Sequence, residues 1–334
     1  MNIIRACIAS IICTITFFQA SAQEGEKVFR FLELPSSVRA NALGGNNVSV
    51  IENDISLVFL NPAALGREMN MNANVNFLSY IADIKVGSAI FGKSIRDNNS
   101  FAVGVNYIDY GDFKKTTSEN EIIGNFSAKD IAVNGMYSHV LTNRLRGGVT
   151  AKFITSSYED YSSVAIGFDV GLSYYNEDQE FSAGLVLKNM GSQISSYNDK
   201  RVGLPWDIQL GVSKRLRSAP IRFSVTAVYL TQWNFANINE ANGIDTSDDG
   251  FLKTAFKHTI LGVDIIPSEN FWIGVGFNPK VHYDMALQDG NKFGGFNAGA
   301  GVRIQKFNIG FSLAQYHPSA TTYHFSVGFD ISKF

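Results

Sequence analysis

From Met71 onward the chain keeps a two-residue rhythm. Phe271, Ile273, Val275 and Phe277 alternate with Trp272, Gly274, Gly276 and Asn278. Phe307, Ile309, Phe311 and Leu313 alternate with Asn308, Gly310 and Ser312. Tyr323, Phe325, Val327, Phe329 and Ile331 alternate with His324, Ser326, Gly328 and Asp330. Val164, Ile166, Phe168, Val170 and Leu172 interleave with Ala165, Gly167, Asp169, Gly171 and Ser173. A period of two puts one residue set on each face of an extended strand. Fourteen such segments of about ten residues can be marked out. A soluble sandwich also alternates, with its apolar face inward. Its second face usually carries Lys, Glu and Thr, whereas here Gly, Ser, Ala and Asn dominate. Small residues suit the wall of a filled lumen, with the apolar row facing lipid.

The connections alternate in length. Short ones lie at Arg96–Asn99, Leu141–Arg144, Asn176–Asp178, Arg217–Ala219 and Pro267–Glu269. Long ones lie at Tyr110–Phe126, Lys188–Gly203, Gln232–Lys253 and Asn278–Asn291. Two further outward links, Ile81–Asp83 and His317–Ala320, are short. Short periplasmic turns and longer outer loops mark outer-membrane barrels. The pattern predicts an all-β fold: a 14-stranded antiparallel transmembrane β-barrel over residues 70–334. Phe334 has the opposite parity to the Tyr323–Ile331 row, so either a bulge resets the register near Lys333 or Phe334 lies outside the last strand.

Composition agrees. Charged residues make up 17% of the chain, below the roughly 25% of soluble domains, and aromatics reach 13%. The net charge of −2 gives no electrostatic case for nucleic acid. No apolar run long enough for a membrane helix follows the N-terminus. Residues 1–22 read as a signal peptide: Arg5 in a short basic start, an apolar Ala6–Phe18, and small residues Ala20, Ser21 and Ala22 before Gln23. Cys7 and Cys13 both fall inside it, and Ile11-Ile12 before Cys13 is no lipobox. The mature chain would hold no disulfide, thiolate metal site or cysteine nucleophile.

Residues 23–69 differ in kind. Val28–Leu65 is rich in Asn, Gly and Ser, with breakers at Gly44-Gly45 and Asn61-Pro62. Gly-Gly admits backbone angles closed to side chains, and Pro62 turns Asn61 away from helix. A segment built of tight turns is expected to plug the lumen. Its phrases Phe31–Ser37 (FLELPSS, with Pro35), Arg39–Gly45 (RANALGG), Asp54 and Asn61–Leu65 (NPAAL) resemble the PorV/PorQ family of the type IX secretion system. That family lies within the FadL-like outer-membrane barrels, and the FLELPSS phrase together with the ALGG and NPAAL phrases points to its PorQ side. The resemblance implies a scaffold in a cell-surface attachment complex. The barrel would hold PorZ at the outer face beside the sortase PorU and PorV, while cargo is joined to lipopolysaccharide.

On this reading the aromatic outer loop Gln232–Asn242, with Trp233 and Phe235, is the expected partner contact. The alternative is a FadL-like channel for a hydrophobic small molecule, which needs an apolar pocket between plug and wall. Other candidates are weaker. Asp245–Gly250 (DTSDDG) echoes half a calcium loop, but Phe256 stands where a bidentate Glu belongs and flanking helices are not expected. His139, His258, His282, His317 and His324 show no ligand spacing. Gly310–Ala314 mimics a nucleophile elbow inside a strand. No Ser/His/acid set stands out at a rim, so neither catalysis nor a cofactor is expected. In the plug, Arg39, Glu52 and Asp54 are expected to be buried and to pair with wall residues. Lumen-parity partners are Lys85, Lys152, Asp169, Arg222, Asp264 and Arg303.

Overall fold

A computed structural model describes residues 27–81, 84–96, 98–117, 121–197, 201–233, 250–289, 293–317 and 320–333. Fourteen antiparallel strands close on themselves. The first seven are β1 (Asn72–Ser79), β2 (Lys85–Ile95), β3 (Asn99–Thr116), β4 (Ile122–Thr142), β5 (Leu145–Tyr158), β6 (Tyr161–Asn176) and β7 (Phe181–Ser195). The rest are β8 (Asp207–Arg215), β9 (Ile221–Ala227), β10 (Thr259–Ser268), β11 (Phe271–Phe277), β12 (Phe296–Ile304), β13 (Phe307–His317) and β14 (Ala320–Asp330). Closure comes from β1 against β14, with Asn72 opposite Asp330 and Ser79 opposite Tyr323. A closed sheet satisfies every ladder group and leaves no edge, the condition for crossing lipid with strands. Val103, Phe168, Val275 and Phe325 stand exposed on the outer wall, as the alternation requires. Gly310–Ala314 lies within β13.

β14 ends at Asp330 and is followed by a 3-10 turn, Ile331–Lys333; Phe334 lies outside the described residues. The connections depart from expectation in four places. Most of Tyr110–Phe126 is strand rather than loop, because β3 and β4 run on as a tall hairpin. β7 likewise continues to Ser195, into the expected Lys188–Gly203 loop. Two helices stand where loops were expected, α2 (Phe251–Lys257) and α3 (Pro279–Asp289); α1 is the short Val38–Ala42 turn of the plug. The first of the two, α2, directly follows Gly250, so the acidic stretch does have a helix on one side; Asp245–Asp249 themselves lie outside the described residues. Strand lengths make the wall uneven. β3 and β4 have 18 and 21 residues, whereas β9 and β11 have 7 each. About ten tilted residues cross a bilayer, so the β3–β4 hairpin rises well above the lipid.

Candidate functional site

The N-terminal segment fills the lumen in three layers. At the outer end Phe29 and Phe31 pack with Leu78, Val86, Ile108 and Leu204. Leu204 belongs to the β7–β8 connection, which dips back into the barrel. Lower down, Ile55, Val58, Phe59 and Met69 meet Ile90, Ala102 and Met136. A third cluster, Ala40, Leu43, Val50, Leu57 and Leu60, is internal to the plug.

The phrases of the segment each have a local cause. Pro35 is buried and leads into Ser37, whose hydroxyl accepts from the Ala40 amide to start α1. Gly44 and Gly45 follow with φ of 104° and 101°, which only glycine adopts freely. The wall closes on this turn: a Cβ at Gly276 would lie 2.1 Å from the Gly44 nitrogen. Asn61 Nδ2 donates to the Val48 carbonyl at 2.8 Å and to Ser173 Oγ at 3.0 Å. Its Oδ1 accepts from the Ala63 amide, capping a 3-10 turn with Pro62 at its first position. The Asn41 side chain donates to Ser312 Oγ and accepts from Tyr316, and its carbonyl accepts from Asn297 Nδ2.

Charge joins plug to wall at more than one place: Arg146 of β5 pairs with Glu68 at 3.0 Å in a more exposed contact, and a buried network lies deeper. Arg39, 4% exposed, lies 2.7 Å from Glu52 and 3.2 Å from Asp264 of β10. Arg222 of β9 bridges the same two acids, at 2.7 Å to Glu52 and 2.8 Å to Asp264. The Arg39 guanidinium also sits 4.5 Å over the Trp272 ring. Two acids and two guanidiniums thus compensate one another. Burial pushes the Glu52 carboxyl up, but Arg222 and Arg39 outweigh it and hold it below its ordinary value. Arg303 donates to the Asn53 carbonyl at 2.9 Å. On β5 and β6 Lys152 and Asp169 pair at 2.8 Å, and Lys152 also donates to Asn189.

Two expectations are corrected. Among the described residues Asp54 pairs with no wall residue; it caps the 3-10 turn Ile55–Phe59, accepting from the Ser56 amide and hydroxyl. Its burial pushes its carboxyl above the ordinary range. Lys85 points outward, exposed, because the inward row of β2 is Val86, Ser88, Ile90 and Gly92. That row is partly apolar because it packs the plug.

Lumen cavities among the described residues are small. One of about 40 Å³ borders Arg39, Glu52 and Arg303; one of about 30 Å³ borders Asn72 and Lys306; one of about 20 Å³ borders Ser36, Lys152 and Lys188. Each has room for a water or two, against the roughly 300 Å³ or more of a ligand pocket. No group of three or more His, Cys, Asp or Glu is placed to hold a metal among the described residues.

At the outer rim Trp233 is half exposed and stacks on Phe251 at 6.3 Å. Phe251 and Leu252 of α2 are 74% and 82% exposed; Phe235 lies outside the described residues. The tall hairpin carries a second aromatic group that the alternation did not reveal. The β3–β4 register shifts between Asp109 and Asp112, around Gly111 at φ 82°. That bulge turns Phe113 to the face of its partner Phe126, which shares strand parity with the buried Ala128. Phe113 stacks on Phe126 at 5.3 Å, and Phe126 meets Tyr158 edge-on at 5.2 Å. Tyr161 lies opposite Tyr158. These four rings line the inner side of the wall above the lumen.

No family model and no curated protein matches the sequence. Solved structures do. A FadL homologue of Pseudomonas aeruginosa aligns over 88% of this chain and 98% of its own, with 11% identity and a TM-score of 0.51. The Pseudomonas putida toluene transporter TodX aligns over 91% and 98%, with 12% identity and a TM-score of 0.52. At such identities the likeness is one of fold. The chain is an integral outer-membrane β-barrel of the FadL type of fold, closed by its own N-terminal segment.

Proposed function

We propose that this non-catalytic outer-membrane barrel is a plug-gated channel for a small hydrophobic molecule, held in its closed state. Its support is the fold shared with the FadL homologue and with TodX over about nine-tenths of the chain. The form of the plug contact agrees. Beside its apolar contacts the plug is held by a buried ionic network, which fixes a register and can be exchanged for another arrangement. Passage requires the plug to leave its present seat, since the three lumen cavities beside it are of about 40 Å³ or less. The test is uptake of a radiolabelled monoaromatic hydrocarbon and of a long-chain fatty acid by a deletion strain. Loss of either, restored by the wild-type gene, supports the channel; unchanged uptake of both removes it.

A second reading rests on the sealed lumen and the outer rim. A barrel that carries no flux works through its surface, and here that surface has Trp233 and Phe251 on one side and the Phe113–Tyr161 ring row on the other. Exposed aromatic groups of this kind mark protein contacts. With the FLELPSS, RANALGG and NPAAL phrases, they support a type IX attachment scaffold of the PorQ kind, holding a PorZ-like partner near PorU and PorV. Affinity capture of the tagged barrel from gently solubilised membranes separates the readings. Recovery of such a partner, lost when Trp233 and Phe126 become Ala, supports the scaffold, and recovery of the barrel alone removes it.

A further inference from the structure

A further cavity lies outside the lumen. It is a groove of about 430 Å³ in the lipid-facing wall, crossing β6 to β9. Its shape follows from small residues in two adjacent outward rows. The outward row Tyr174–Ala183–Val212–Val225 runs across four strands, and beside it runs Leu172–Leu185–Leu210. Ala183 leaves a dip between Tyr174 and Val212, and Ala227 lowers the neighbouring row beside Leu210. The groove floor is backbone thinned by Gly184 and Gly211, which face inward against Val48 of the plug.

The periplasmic end of the groove is basic. One row beyond Val212, Lys214 stands between Phe181 and Phe223, and its ammonium donates to the Gln179 carbonyl of the β6–β7 turn. Arg215 and Arg217 follow at the short β8–β9 turn. None of the three forms an ion pair among the described residues; Arg144 nearby is paired with Asp178. Glu177 and Glu180 of the β6–β7 turn are the other charges at this corner. Short turns mark the periplasmic side, so the groove opens toward the inner leaflet.

We propose that this groove is a binding site for one phospholipid of the inner leaflet. An acyl chain lies along Leu172, Leu185, Leu210 and Val225 over Ala183, and the phosphate sits at Lys214 and Arg217. The aliphatic lining matches the chain and the unpaired cations match the phosphate, while Phe181 and Phe223 flank Lys214 at interface depth, where aromatic rings collect.

Native mass spectrometry of the barrel released from a mild detergent tests this. The wild type is expected to retain one phospholipid, identified by mass. Ala183→Trp fills the dip and Lys214→Glu reverses the charge, and each is expected to lower the retained fraction about tenfold. If Ala183→Trp fails to fold, Lys214→Glu and Arg217→Glu carry the test. Retention of lipopolysaccharide instead, no retained lipid, or equal retention in the folded variants would overturn the proposal.

Discussion

Arg39 and Asp264 are 225 positions apart in sequence and 3.2 Å apart in the lumen. Asp264 is fully buried and is shared with Arg222 of the neighbouring strand. The plug is therefore registered on β9 and β10 by charge. Removing one member of such a network leaves the others buried without compensation, which typically costs about 3–5 kcal/mol. Asp264→Ala is expected to be the most damaging single change, because it removes the fully buried acid and leaves two guanidiniums with Glu52 alone between them. Limited proteolysis of the folded barrel should then cleave within residues 27–70, where the wild type resists.

The two plug acids carry opposite pH signatures. Glu52 titrates below its ordinary value of 4.5, so its contribution is complete above that pH and fades as the pH falls through the lowered value. Asp54 titrates above 3.8, so its contribution is complete below that pH and is lost as the pH rises through the raised value. At neutral pH Asp54→Asn is expected to keep the turn cap and leave stability unchanged or raised, whereas Glu52→Gln lowers it. Urea midpoints at pH 7 and pH 4 check both signs, and a loss in Asp54→Asn at pH 7 would refute the assignment.

Gly276 tests how closely the wall approaches the plug. A methyl group there would meet the Gly44 backbone at 2.1 Å, and neither backbone can turn aside. Gly276→Ala is expected to cost about 1–3 kcal/mol and to expose the plug to protease. Gly135→Ala, where a Cβ meets nothing within 4 Å, is the matched control and should behave as wild type.

Much of this was legible in the sequence. Strand count, closure and the outward face follow from the period of two, because each strand has to satisfy lipid on one side. Arg39, Glu52, Arg222, Asp264 and Arg303 could be assigned to the lumen because buried charges need partners. The misses have physical causes. Val86 and Ile90 are apolar yet point inward to pack Phe29, Phe31 and Ile55, so equating apolar with lipid-facing put Lys85 on the wrong side. A single extra residue at Gly111 reverses the parity of Phe113, and alternation cannot show where a bulge falls. Leu204 gave no signal, since its neighbours read as an ordinary outer loop.

A lumen sealed by a charge-registered plug makes a definite prediction for ion conductance in planar bilayers. The wild-type barrel should insert without passing current, and Asp264→Ala should open discrete, resolvable channels as the plug loosens. Steady conductance through the wild type, or an Asp264→Ala barrel as silent as its parent, would contradict the account.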